Sequence, residues 1–117
     1  MRLDYRLVET LPRLAWVAAL RRDQERVEVL HGPWVEKRQE CFFEGAWDGD
    51  FADGAFDTAV SFMGSGGRVE GGRIVFAGPA HKLDWIQTVV VGQTLYVSNS
   101  FALLLTRAGE ELDLQYP

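Results

Sequence analysis

Thr88-Val89-Val90-Val91-Gly92-Gln93-Thr94-Leu95-Tyr96-Val97-Ser98-Asn99-Ser100-Phe101-Ala102-Leu103-Leu104-Leu105 decides the fold. From Asp84 to Val91 the chain is rich in β-branched and aromatic residues, which suit a pleated, half-buried surface. Gly92-Gln93 turns it, and Leu95-Tyr96-Val97 returns it as a second strand. Asn99 or Ser100 then supplies a helix cap. Phe101, Leu104, Leu105 and Ala108 recur at the spacing of one helical face, Arg107 falls in the last turn, and Gly109 is the expected stop. Leu112, Leu114 and Tyr116 alternate beyond it and read as an extended tail up to Pro117.

Working outward, Arg68-Val69-Glu70 and Arg73 to Ala77 flank Gly71-Gly72, a strong hairpin signal. The run Leu14 to Leu20 fits both a helical stripe and a strand. The clean alternation of Arg26-Val27-Glu28-Val29 after the polar turn Arg21 to Gln24 settles it as a hairpin, ended by Gly32-Pro33. Glu40-Cys41-Phe42-Phe43-Glu44, closed by Gly45, is a further strand. Asp48 to Asp57 is an acidic, glycine-broken loop. Asp57 is placed to cap a short helical turn over 58–62, which Gly64-Ser65-Gly66-Gly67 would end. Strands that follow strands through tight turns pair antiparallel, and one amphipathic helix covers one sheet face. The expectation is an α+β fold with a mainly antiparallel sheet of about six short strands and a C-terminal helix, as a single domain over residues 1–117.

Composition agrees with a globular domain. Of the 117 residues 47% are hydrophobic and 25% charged, and four Trp, seven Phe and three Tyr give a core its bulk. Twelve basic against 17 acidic residues leave a net charge of −5, so no basic face for nucleic acid or anionic membrane is expected. No apolar run reaches the ~20 residues that span a bilayer, and Met1-Arg2-Leu3-Asp4 does not read as a secretory leader. The one cysteine, Cys41, forms no internal disulfide, which fits the reducing cytoplasm.

Few residues signal chemistry. Counting from Asp48, an EF-hand loop would need glycine at its sixth position and glutamate at its twelfth; Asp53 and Ala59 stand there, so a solvated acidic turn is the better reading. Gly64-Ser65-Gly66-Gly67 lacks the spacing of a dinucleotide fingerprint and the lysine of a Walker loop, and reads as a turn. His31 and His81 belong to no metal-ligand pattern, so neither metal nor cofactor is expected. Cys41 has no local base and reads as a buried core thiol. Ser98-Asn99-Ser100 lacks the glycines of a nucleophile elbow and reads as a cap. Four residues remain as a candidate pocket for a small polar ligand. Glu44 and Trp47 combine a carboxylate with a stacking ring, His81 has acidic and aromatic neighbours, and Ser98 stands where a strand hands over to a helix.

The stretch from Gly72 through Leu83, with Thr94 through Leu104, resembles the end of the amidotransferase half of asparagine-synthase-like proteins. Phe43-Glu44-Gly45-Ala46-Trp47 and Phe62-Met63-Gly64-Ser65-Gly66 are similar to that family's uncharacterised bacterial members, so the resemblance covers roughly residues 40 to 117. The family's glutaminase uses an N-terminal cysteine, whereas here Arg2 follows the first methionine and Cys41 is internal. The family's Asn-Gly oxyanion step and its nucleotide-binding half are not found either. The resemblance therefore implies a truncated or stand-alone domain that kept the sheet and lost the chemistry, with no catalytic residue to carry over. The resulting expectation is a non-catalytic domain that binds a small ligand or a protein partner. Self-pairing into a homodimer would run through a sheet edge near Leu95 to Val97 or through the Leu112 to Tyr116 tail. The alternatives are a small amide- or ester-bond hydrolase or transferase using Cys41 or His81, and a regulatory subunit of a larger complex.

Overall fold

The structure, a computed structural model, describes residues 1–47, 51–58, 62–78 and 86–115. Among them nine strands form two sheets. The strands are β1 (Arg2–Leu7), β2 (Trp16–Arg21), β3 (Arg26–His31), β4 (Glu36–Lys37), β5 (Cys41–Ala46), β6 (Met63–Glu70), β7 (Arg73–Ala77), β8 (Gln87–Val91) and β9 (Thr94–Ser98). One α-helix is found among the described residues, α1 (Phe101–Gln115), which follows β9. The first sheet has the order β1-β3-β2-β9-β8 and the second β4-β5-β6-β7. The α+β class, the antiparallel predominance and the helix on one sheet face are as expected. The strands number nine rather than about six, because Arg2–Leu7 and Glu36–Lys37 also pair, and the middle of the chain, β4 to β7, builds a sheet of its own.

Among the described strands only β1 and β3 pair in parallel, in register from Arg2 with Arg26 to Leu7 with His31. The loop over 8–15 carries the chain past one strand position to β2, and the β2–β3 hairpin then fills the gap, so β1 and β3 point the same way. The ambiguity of Leu14 to Leu20 has its cause in this placement. β2 is a central strand buried on both faces, with Trp16 and Ala18 turned to the second sheet and Val17 and Ala19 turned to α1. A strand covered on both sides loses its polar alternation and then looks like a buried helix.

Three apolar zones follow from the layering. Between the sheets, Leu3, Trp16, Val27, Val29 and Val97 meet Phe42, Val69, Ile74 and Phe76. The Trp16 ring stands edge-on to Phe42 at 4.8 Å and stacks on Phe76 at 5.8 Å, both favoured aromatic geometries. On the other side of the first sheet, Val17, Ala19, Val91 and Tyr96 pack against Leu104 and Ala108 of α1. On the other side of the second sheet, Cys41, Phe43, Phe56 and Phe62 cluster with Trp47.

Three local expectations are corrected. Gly64 to Gly67 is not a turn but the middle of β6, opposite Phe42 to Gly45. Its glycines admit close approach: a Cβ on Gly66 would lie 2.3 Å from the Phe42 carbonyl oxygen, and one on Gly67 2.9 Å from the Phe42 ring. The helix does not stop at Gly109. It runs to Gln115, so Leu112 and Leu114 belong to a helix and not to an extended tail. No positive φ marks Gly109, and nothing lies near where its Cβ would be, so it has none of the left-handed geometry of a terminating glycine. Finally, the edge expected to recruit a second copy is not an edge. β9 lies between β2 and β8, and the free edges are β1 and β8 in one sheet and β4 and β7 in the other.

Candidate functional site

Glu44 takes its position from strand alternation. Phe42 and Glu44 share the face of β5 turned toward the first sheet, whereas Cys41 and Phe43 share the opposite face. The register sets Ser65 of β6 directly across from Glu44. The Ser65 hydroxyl donates to Glu44 Oε1 at 2.7 Å and accepts from the Trp16 indole Nε1 at 2.9 Å. A polar chain thus runs from the half-buried carboxyl of the second sheet into the first. Ser65 and Trp16 are buried, so the bond between them forms away from competing water and would be expensive to leave unmade.

The first sheet completes the cluster from the end of β9. Asn99 Oδ1 accepts the Trp16 backbone N–H at 2.8 Å, and Asn99 Nδ2 donates to the Leu14 carbonyl at 2.8 Å. The Ser98 hydroxyl donates to the Trp16 carbonyl at 2.6 Å and accepts the Ser100 N–H at 2.9 Å. Ser100 Oγ in turn accepts the Leu103 N–H at 3.3 Å, which caps α1. Burial pushes the Glu44 carboxyl above its usual range, and the hydrogen bonds from the Ser65 hydroxyl, the Asn99 side chain and the Ser65 backbone offset this only in part.

The four residues read from the sequence separate. Glu44 and Ser98 belong to one cluster, joined through Trp16 and Asn99. Trp47 lies on the other side of β5, stacked on Phe51 at 5.5 Å and edge-on to Phe43 at 5.3 Å. It holds an aromatic cluster together and does not stand beside the Glu44 carboxyl. His81 lies outside the described residues. The tryptophan that accompanies Glu44 is Trp16, and the residues the sequence reading passed over are Trp16, Ser65 and Asn99. Their signal was an acid at an inward position of an apolar strand, which requires partners from across the interface.

The remaining chemical candidates have structural partners. Cys41 is buried, and burial raises its thiol pKa despite the nearby Arg68 and Arg38. A thiol so held stays protonated at neutral pH. His31 Nδ1 is 2.9 Å from the Gly32 carbonyl oxygen, and its ring stands edge-on to Tyr5. The acidic segment is tied down by arginines. Arg38 donates to the carbonyls of Ala52 and Phe51 at 2.9 and 3.1 Å, and Arg68 Nε reaches Asp57 at 3.0 Å.

Together these features define an α+β domain whose two sheets are bridged by a chain of polar side chains ending in one acidic group. Comparison with protein-family models, with curated proteins and with solved structures finds no match for the chain.

Proposed function

We propose that this protein is a non-catalytic binding domain that takes a small polar ligand at Glu44, Ser65 and Asn99. The observation that carries this reading is a half-buried carboxyl with a raised pKa that no cation neutralises among the described residues. Ser65 and Asn99 orient it, and neither is a base that could make it part of a catalytic pair. A carboxylate held this way accepts hydrogen bonds, so the fitting ligand donates them through an amide, an amine or a hydroxyl group. A degenerate relative of the amidotransferase half of asparagine-synthase-like proteins would suit such a ligand. Support for that kinship comes from β8, its tight turn, β9 and the Ser98 to Ser100 step into α1. The protonated, enclosed Cys41 disfavours the thiol hydrolase alternative. The single unpaired cysteine favours residence in the reducing cytoplasm. Among the described residues no helix is long and apolar enough to cross a membrane.

The test is an NMR titration of the ¹⁵N-labelled protein with L-glutamine, L-asparagine and N-acetylglucosamine. At least one should shift the Trp16 indole, Ser65 and Asn99 signals saturably, and Glu44→Ala should weaken that binding. Silence of the Trp16 indole toward all three, or equal binding by Glu44→Ala, contradicts the reading.

A further inference from the structure

The outer face of the first sheet is only half covered. α1 rests on β8, β9 and β2, leaving the β1 and β3 side of the sheet beyond its flank. There the strands alternate strictly, with Leu3, Tyr5, Val27 and Val29 turned inward and Arg2, Asp4, Arg6, Arg26 and Glu28 turned to the helix side. A groove of about 250 Å³ lies between these strands and α1, lined by Asp4, Arg6, Arg26, Glu28 and Arg107.

The charges in this groove do not balance. Glu28 alone serves three guanidiniums, Arg21 at 3.2 Å, Arg26 at 3.3 Å and Arg107 at 3.5 Å. Asp4 serves Arg2 and Arg26, both at 3.5 Å. Arg6 makes no ion pair among the described residues, and Arg107 Nε is buried without an acceptor. In the lining itself three arginines, Arg6, Arg26 and Arg107, face two carboxylates, Asp4 and Glu28, on a chain whose net charge is −5, and Glu110 holds Arg107 from outside the groove at 3.0 Å. Long contacts shared by one carboxylate leave guanidinium N–H groups that a planar oxyanion satisfies best.

We propose that this groove is a binding site for a small multivalent oxyanion, a phosphorylated or polycarboxylate compound, held by Arg6, Arg26 and Arg107. It stands apart from the Glu44 cluster, on the opposite face of the first sheet, and does not depend on it. The groove is too small for a macromolecular polyanion, and Asp4 and Glu28 on its floor select for a compact ligand that bridges the arginines around them.

The test is a titration of ¹⁵N-labelled protein with sodium phosphate and with citrate, at pH 7 and constant ionic strength. Saturable shifts should appear in the amides of β1 and β3 and in the arginine Nε–Hε signals, with the Trp16 indole unmoved. Saturation by phosphate alone assigns a phosphoryl group, and saturation by citrate alone a polycarboxylate. Arg6→Ala, an exposed change that leaves the fold intact, should weaken binding about tenfold through the loss of a charge-assisted contact. Glu28→Gln should tighten it, because three guanidiniums lose their competitor. Overturning outcomes are non-saturating shifts spread over the surface with both anions, or affinities that neither Arg6→Ala nor Glu28→Gln changes.

Discussion

The two sheets hide their outer faces by different means. The first sheet lies under a regular helix, and a narrow stripe of Leu104 and Ala108, flanked by Leu103, closes it over Val17, Ala19, Val91 and Tyr96. The second lies under irregular chain, where Phe56 and Phe62 fill the space over Cys41 and Phe43 while Trp47 and Phe51 roof the cluster. A helix supplies its own backbone hydrogen bonds and needs only an apolar stripe. The short turns over 51–58 close only the Phe51 and Ala55 carbonyls on themselves, and Arg38, next to β4, and Arg68 of β6 bond those of Phe51, Ala52 and Gly54. Their guanidiniums also stand over the rings of Phe43 and Phe56, at 5.1 and 5.5 Å from the centroids. A regular cover is therefore local and periodic, and an irregular one depends on single large rings and long-range arginines.

The largest break in this comparison falls on the irregular side. Phe56 is fully buried among three other aromatic rings, and Phe56→Ala should cost about 3–5 kcal/mol in chemical denaturation. On the helical side the effect should divide between neighbours. Leu104 is 2% exposed and Leu105 52%, so Leu104→Ala should cost about 2–5 kcal/mol and Leu105→Ala no more than about 0.5 kcal/mol. Equal losses at the two positions would mean that α1 docks with a different face.

A third change probes how the second sheet makes room for its aromatics. Gly66→Ala places a methyl group against the Phe42 backbone and the Phe43 Cβ, and should destabilise by roughly 1–3 kcal/mol. Gly72→Ala, where nothing stands near the added carbon, serves as the control in the same melts.

The smallest effect is electrostatic and concerns the polar bridge between the sheets. The folded protein binds the Glu44 proton more tightly than the unfolded chain does. Stability from this group therefore falls as pH rises from the ordinary glutamate value of 4.5 through its raised folded value. Glu44→Gln keeps an acceptor for Ser65 and removes the charge, so it should gain on the wild type across that window and hold the gain above it. Melting temperatures of the two proteins against pH check the sign.

How much of this was legible in the sequence depended on how local the cause is. β8, β9 and the cap at Ser100 are written in adjacent residues, and so is the β6–β7 hairpin at Gly71-Gly72. The strand β6 was hidden because Gly64, Gly66 and Gly67 signal a turn locally, whereas Phe42 and Phe43 of a neighbouring strand require small residues there. Leu105 and Phe101 fitted the helical period but lie on the rim of the stripe, since α1 meets the sheet through Leu104 and Ala108. β1 was invisible because its alternation places charges on one face, and its partner β3 is set by topology rather than by a turn. Glu44 was legible as a candidate ligand contact, read together with Trp47. Its partners Trp16, Ser65 and Asn99 come from three other parts of the chain, and only the register of two sheets brings them together. Trp47 looked like the partner of Glu44 by proximity in sequence, yet their side chains lie on opposite sides of β5.

The bridge from Glu44 through Ser65 to Trp16 is tested most directly by following the Glu44 side-chain carboxyl by NMR as pH is varied, together with the Trp16 indole N–H. The account predicts a midpoint above 4.5, with the indole signal moving at the same midpoint because Ser65 links the two groups. A carboxyl that titrates at its ordinary value while the Trp16 indole stays still would contradict it.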